Sequence, residues 1–135
     1  MITKRVFSKI AWEKEVGYCR AIQMGNFIAI SGTTSVNKSG IVLAPLDLYS
    51  QTKNSLEIIK NALLELGLGP QNIIRTRLFV TDITKWKDAA KAHREFFENN
   101  PPATSMIEIK SLINPDLMIE IEADAIVIES SDVKK

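Results

Sequence analysis

The chain has 135 residues, 45% of them hydrophobic, which suits one ordinary domain over residues 1–135 and leaves no room for a second. Its 17 basic and 16 acidic residues leave a formal charge of +1, so no global field draws it to nucleic acid or to an anionic membrane. The lone Cys19 excludes a fold stapled by internal disulfides, and no apolar run nears the ~20 residues needed to cross a bilayer. MITKRVFSKIAW lacks a long apolar signal core, so a cytoplasmic location is expected.

In chain order, Ile2 to Phe7 alternates weakly and predicts a first strand, and Ser8 to Glu15 reads as a polar connector carrying Trp12. Tyr18 to Met24 and Phe27 to Ser31 predict a hairpin turning at Gly25-Asn26, and Ser35 to Pro45 a loop. Leu48, Thr52, Leu56, Ile59, Leu63 and Leu66 recur at spacings of three and four, which predicts an amphipathic helix from Asp47 to Leu66, stopped by Gly67-Leu68-Gly69-Pro70. Asn72 to Asp82 predicts a strand with Ile74, Thr76, Leu78 and Val80 on one face and Ile73, Arg75, Arg77 and Phe79 on the other. A second helix is expected from about Thr84 to Glu98, with Trp86, Ala90, His93 and Phe97 as its apolar stripe.

The stretch from Pro101 to Asp124 reads as two alternating strands joined by a short turn at Asn114-Pro115-Asp116. On the last strand Ile119, Ile121, Ala123 and Ala125 face one way, and Glu120, Glu122 and Asp124 line the other face. Ser130 to Lys135 reads as a polar tail. These elements predict an α+β fold in which two helices cover one face of a mixed sheet of about six strands. The bare face would carry Arg75, Arg77, Phe79, Glu120, Glu122, Asp124, Met118 and Ile126, a mixture suited to a homo-oligomer interface.

Most familiar chemistries find no support. One His and one Cys cannot make a zinc site, and there is no GxSxG, GxxxxGK[ST] or GxGxxG. His93 on an apolar stripe reads as a packed or interface histidine rather than as the base of a triad with Ser31 or Ser105. The dispersed basic residues and the lack of an RNP-like strand argue against an RNA platform. The carboxylate ladder reads mostly as salt-bridge chemistry with Arg75, Arg77 and Lys110, with one acid retained to orient water or pass a proton.

Gly17-Tyr18, Ile30-Ser31-Gly32, Gln51-Thr52 through Asn61 to Gly67, RTRLFVTD at 75–82, Phe96-Phe97, Pro102-Ala103 and Ile119-Glu120-Ile121-Glu122-Ala123 occur in an order and spacing that resembles the RidA/YjgF family, also called L-PSP endoribonuclease-like. The resemblance implies a chorismate-mutase-like fold, homotrimers whose sheets form a central barrel, and three clefts between subunits that each take a small molecule. Active members hydrolyse reactive imines and enamines to 2-oxo acids and ammonia without metal or cofactor. In them an arginine after Pro-Ala grips the substrate carboxylate, and the first glutamate of the last strand handles water and the leaving nitrogen.

Carried over, the resemblance makes Glu120 the catalytic residue and Tyr18, Ser31, Gly32, Thr104, Ser105 and Met106 the substrate-binding set. Thr104 stands where the arginine would be, Met106 where a cysteine is frequent, and Ala90 where many deaminases carry asparagine. A hydroxyl cannot pair a carboxylate as a guanidinium does, which costs about 1.5–3 kcal/mol for each charge-assisted bond lost. Either another cation, Arg20 or Lys110, replaces it, or the substrate is less acidic. The resemblance thus implies an imine or enamine hydrolase of atypical substrate, with a non-catalytic trimer binding a small metabolite or partner as the alternative. Ribonuclease activity is the least supported reading.

Overall fold

A computed structural model describes residues 1–128, and the polar tail expected at Ser130–Lys135 lies outside them. The strands are β1 (Thr3–Val6), β2 (Ala21–Met24), β3 (Phe27–Thr33), β4 (Ile73–Val80), β5 (Ala103–Glu108) and β6 (Ile119–Ile126). The helices are α1 (Ala11–Val16), α2 (Leu48–Glu65) and α3 (Trp86–Phe97). Across the sheet the order is β1-β2-β3-β6-β4-β5, antiparallel throughout except for the parallel pair β4 and β5. The expected mixed sheet of six strands with two long helices on one face is therefore what forms.

Local chemistry explains most of these elements. Gly25, at φ 61, occupies the first position of the two-residue turn that pairs Met24 with Phe27, the place where a type II′ hairpin needs glycine. Asp47 caps α2 by accepting the Ser50 N–H at 3.0 Å. At the far end Gly67 takes φ 75 while Leu68 N–H bonds back to Leu63 O at 2.9 Å. Between the caps Leu48, Leu56, Ile59 and Leu63 are buried against the sheet, and each large apolar side chain contributes about 1.5–3 kcal/mol.

Several expectations fail for physical reasons. Ser8–Glu15 is not a plain connector, because Ala11–Val16 forms a helical turn whose buried Glu13 accepts the Ser8 N–H and hydroxyl. The two strands of the Pro101–Asp124 stretch are not neighbours: β5 lies parallel beside β4, while β6 crosses into the slot between β3 and β4. A loop from 109 to 118 makes that transfer, so Asn114-Pro115-Asp116 is part of it rather than a hairpin turn. In β4 a register shift between Ile73 and Arg75 reverses the parity at its start, leaving Ile74 47% exposed and Ile73 buried. The α3 stripe is rotated too, since Ala89, Ala92 and Phe97 are buried and Trp86 is 47% exposed.

One buried side chain governs the entry to β6. Gln51 is wholly enclosed; its amide nitrogen donates to Ala44 O at 3.0 Å and Asp116 O at 2.8 Å, and its oxygen accepts Met118 N–H at 2.8 Å. Met118 is consequently 5% exposed within the core, not on the bare face as expected. A Gln51→Leu substitution leaves one donor and two acceptors without these partners in a dry site and is expected to lower unfolding stability by about 3 kcal/mol or more. Urea unfolding measures this, and a loss below about 0.5 kcal/mol would show that the loop is held by other means.

Candidate active site

The sheet has one face against α2 and α3 and one bare face, and the strand period divides the site residues between them. On β6, Ile119, Ile121, Ala123 and Ala125 are fully buried beneath the helices, so Glu120, Glu122 and Asp124 project from the bare face as expected. Where β3 meets β6, Ile30 pairs with Ala123 and Thr33 with Ile121. Ser31 and Gly32 therefore stand together opposite Glu122 alone, which is a β-bulge.

That bulge seats Glu120. A methyl group built on Gly32 would lie 2.6 Å from the Glu120 carboxyl carbon, so the carboxylate rests against a surface that only glycine leaves open. Ser31 is fixed beside it, its hydroxyl donating to Cys19 O at 2.7 Å and its N–H to Arg20 O at 3.0 Å. Arg20 is 4% exposed and donates from Nη2 to Gly32 O at 2.9 Å, with its guanidinium 5.5 Å from the centre of the Tyr18 ring. Burial, and then the neighbouring charge of Glu122, hold the Glu120 carboxyl above its usual range, against the opposing pull of Arg20. A half-buried carboxyl raised in this way is suited to exchanging protons.

The rest of the ladder is structural. Arg77, opposite Glu122 on β4, reaches Asp124 at 3.2 Å and Glu122 at 3.7 Å, which is the ion pairing expected of these acids. Tyr18, Arg20, Ser31, Gly32 and Glu120 thus form one group of residues at the β3–β6 seam. Beside Tyr18 a concavity of about 1140 Å³ opens among Phe7, Trp12, Lys14 and Lys38, and Glu120 does not line it.

Thr104, Ser105 and Met106 lie on β5, at the opposite edge of the sheet from β1. Pairing with β4 sets Thr104 against Thr76 and Met106 against Leu78, both of which face the helices. Met106 packs partly buried against the core, and Ser105 stands opposite Arg77 on the bare face. Thr104 and Glu120 therefore project from opposite faces, and one chain does not bring them together. The exposed Thr104 hydroxyl lies 2.8 Å from Thr76 Oγ1, which lies 2.9 Å from His93 Nε2. Thr76 is fully buried, and His93 packs on the Phe97 ring at 4.5 Å between centroids.

This hydroxyl and imidazole chain is not legible in the sequence, where His93 reads as a packed or interface histidine. Its signal was Thr76, a polar residue on the inner parity of β4 that needs a buried partner. Burial pushes His93 down to about 4, so the ring is neutral at physiological pH. Ala90, which the resemblance sets where many deaminases carry asparagine, is partly buried on α3 one turn before His93.

Comparison with known proteins places these features in context. The family model described as Endoribonuclease L-PSP matches residues 9–127. An uncharacterized protein of Streptomyces coelicolor is 30% identical over 122 residues, covering 90% of each chain. The 2-iminobutanoate/2-iminopropanoate deaminase of Escherichia coli is 35% identical over 113 residues, covering 81% of this chain and 86% of that one. The crystal structure of a Mycobacterium tuberculosis member of the YjgF family superposes with a TM-score of 0.85 at 36% identity, covering 93% of this chain and all of its own.

The lowered His93 value has a consequence for stability. Between about pH 4 and 6.5 the unfolded chain binds a proton at His93 that the folded chain refuses, so stability falls as pH drops through this window. Allowing for its partial exposure, the loss attributable to His93 is about 1–2 kcal/mol, complete near pH 4. Urea unfolding of wild type and His93→Phe across this range isolates the term: the variant should lack this part of the slope. A ring titration midpoint near 6.5 by NMR would contradict it.

Proposed function

Because the chain belongs to the RidA/YjgF family, we propose that it is a cytoplasmic homotrimeric hydrolase that converts small imines or enamines to oxo compounds and ammonia. The observation that carries this reading is Glu120, a carboxyl raised above its usual range and seated on Gly32 at a bulge. It is supported by the 35% identity to the Escherichia coli deaminase. The charged and apolar bare face, with Phe79 and Ile126 among its ion pairs, suits the barrel side of a trimer. In this reading Tyr18, Ser31, Gly32 and Glu120 of one copy meet Thr104, Ser105 and Met106 of the next, which accounts for their separation within one chain.

The proposed chemistry is addition and elimination. Glu120 takes a proton from water as the oxygen bonds to the imine carbon and the C=N electron pair moves to nitrogen, and returns it to that nitrogen to give a carbinolamine. It then takes the hydroxyl proton as the C=O bond forms and the C–N bond breaks, and passes it to the nitrogen, which leaves as ammonia. Water and imine are consumed, oxo compound and ammonia are released, and no metal or cofactor enters the reaction. Thr104 makes the substrate atypical, since it offers no charge to a carboxylate.

The test uses 2-iminobutanoate generated by a threonine dehydratase in the presence of a trap. Glu120→Gln should lower the wild-type rate on an imine panel by about 10²–10⁴-fold, and Thr104→Arg should raise activity on 2-iminobutanoate roughly tenfold to a hundredfold. Should neither wild type nor Thr104→Arg accelerate release, with Glu120→Gln changing nothing on the panel, the hydrolase reading falls and the metabolite-binding alternative takes its place. Sedimentation tests the trimer.

Gly32→Ala separates geometry from folding. Its methyl collides with the movable end of Glu120 and φ is not in the left-handed region, so stability should change by less than about 1 kcal/mol while activity falls at least tenfold. Unchanged activity would show that the carboxylate need not sit on Gly32.

A further inference from the structure

Thr104 is held by a built network, and that network has its own chemical preference. Thr76 Oγ1 has one proton and sits between His93 Nε2 at 2.9 Å and Thr104 Oγ1 at 2.8 Å. If Nε2 lacks the ring proton, Thr76 donates to it and Thr104 donates to Thr76, so Thr104 faces outward as an acceptor. If Nε2 bears the proton, every bond reverses and Thr104 is free to donate outward. The direct Thr104 to His93 separation of 3.5 Å and the 3.4 Å approach to Pro102 O are too long to fix either state.

Three arginines are placed away from Thr104. Arg75 and Arg77 stand opposite Ala103 and Ser105, so they leave β4 on the face away from Thr104, and Arg77 is paired with Asp124 and Glu122. Arg20 is enclosed at the β3–β6 seam. A carboxylate at Thr104 would lose water for one neutral hydrogen bond, whereas an uncharged group that donates or accepts would be matched by a reversible partner.

We infer that the His93–Thr76–Thr104 chain is a specificity device that makes Thr104 a switchable donor or acceptor for an uncharged polar group of the ligand, a carboxamide, carbonyl or hydroxyl in place of a carboxylate. The inference rests on the proposed function only in taking Thr104 to line the ligand cleft. His93 is its positioning residue, acting through Thr76 without touching the ligand.

Pyruvamide and pyruvate, equal in size and differing in charge, are the probes, with binding to the full chain followed by NMR. His93 is the only histidine, so its ring nitrogens report the tautomer without ambiguity. Wild type should bind pyruvamide at least tenfold more tightly than pyruvate and shift the ring nitrogen resonances on binding. Thr104→Val should abolish that preference, and Thr104→Arg should invert it. His93→Phe should weaken pyruvamide several-fold, and His93→Gln, which keeps a donor and an acceptor, should restore it; thermal unfolding confirms that each variant is folded.

Three outcomes overturn the inference: no pyruvamide binding by wild type, equal or tighter pyruvate binding, or a His93→Phe protein that is folded and binds pyruvamide normally. Tighter pyruvate binding would point to a cation from a second copy. Imine turnover sensitive to Glu120→Gln stands apart from these outcomes. A pyruvamide preference without turnover keeps the inference while removing the hydrolase.

Discussion

The last strand must enter a slot that the rest of the chain has left one strand wide, and the Gln51 amide guides it there. β3 and β4 both run antiparallel to β6, hence parallel to each other, with the crossover through α2 between them. No hairpin turn leads into the middle of such a sheet. The chain instead crosses from β5 at the edge through a ten-residue loop, 109–118, whose carbonyls and N–H groups need partners once covered. Gln51 supplies two of them, for Asp116 O and Met118 N–H, from the first turns of α2 and also holds Ala44 O just before that helix, so the fold of the helix and the register of β6 are one problem. Glu120 lies two residues beyond Met118, the last atom group that Gln51 holds. Its position is inherited from that amide.

From this register follows the division of the chemistry. A shift of β6 by one residue would turn Ile119 and Ile121 outward and send Glu120 and Glu122 into the core, at a cost far above the stability of a domain this size. The core therefore locks the acids onto the bare face. The same parity on β4 and β5 puts the buried Thr76 and the exposed Thr104 on the helix face. Glu120 is tied to the apolar packing on the other side of β6, and Thr104 is held on the helix face of β5 by its bond to Thr76, so neither can swing through the sheet to meet the other.

What could be read from residues alone tracks how local each cause is. The α2 helix, with its Asp47 cap and glycine stop, and the β6 alternation rest on period and capping, which are local, and both appear in the structure close to their expected bounds. Strand order rests on contacts between residues far apart, so β5 and β6 looked like neighbours when only sequence separation was available. The Ile73–Arg75 irregularity in β4 reversed the expected faces of Ile73 and Ile74, because a bulge changes parity without leaving a residue type to announce it. In the site, the resemblance picked out Tyr18, Ser31, Gly32 and Glu120, and the structure gathers them. The Thr76–His93 bond joins β4 to α3 and depends on the angle at which the helix lies, which no spacing in the chain encodes.

Arg20 and Thr104 bear on the departure from the deaminases that the sequence resemblance implies. Of the two cations suggested as replacements for the missing arginine, Arg20 is placed at the seam rather than at β5, enclosed and donating to the carbonyl of Gly32. Moving it toward a ligand would break the bond that braces the bulge and would strip the Tyr18 ring of its partner. Its charge also opposes the rise in the Glu120 carboxyl, so withdrawing it would raise that group further and change the chemistry as well as the shape. The guanidinium is thus bound to the Glu120 seam by three separate contacts or fields. Thr104, by contrast, belongs to a hydrogen-bonded chain in which every hydroxyl has a partner and the buried end is a neutral ring. An arginine in its place would bring a charge to the outer end of that chain, and the present residues form a self-consistent neutral alternative to it.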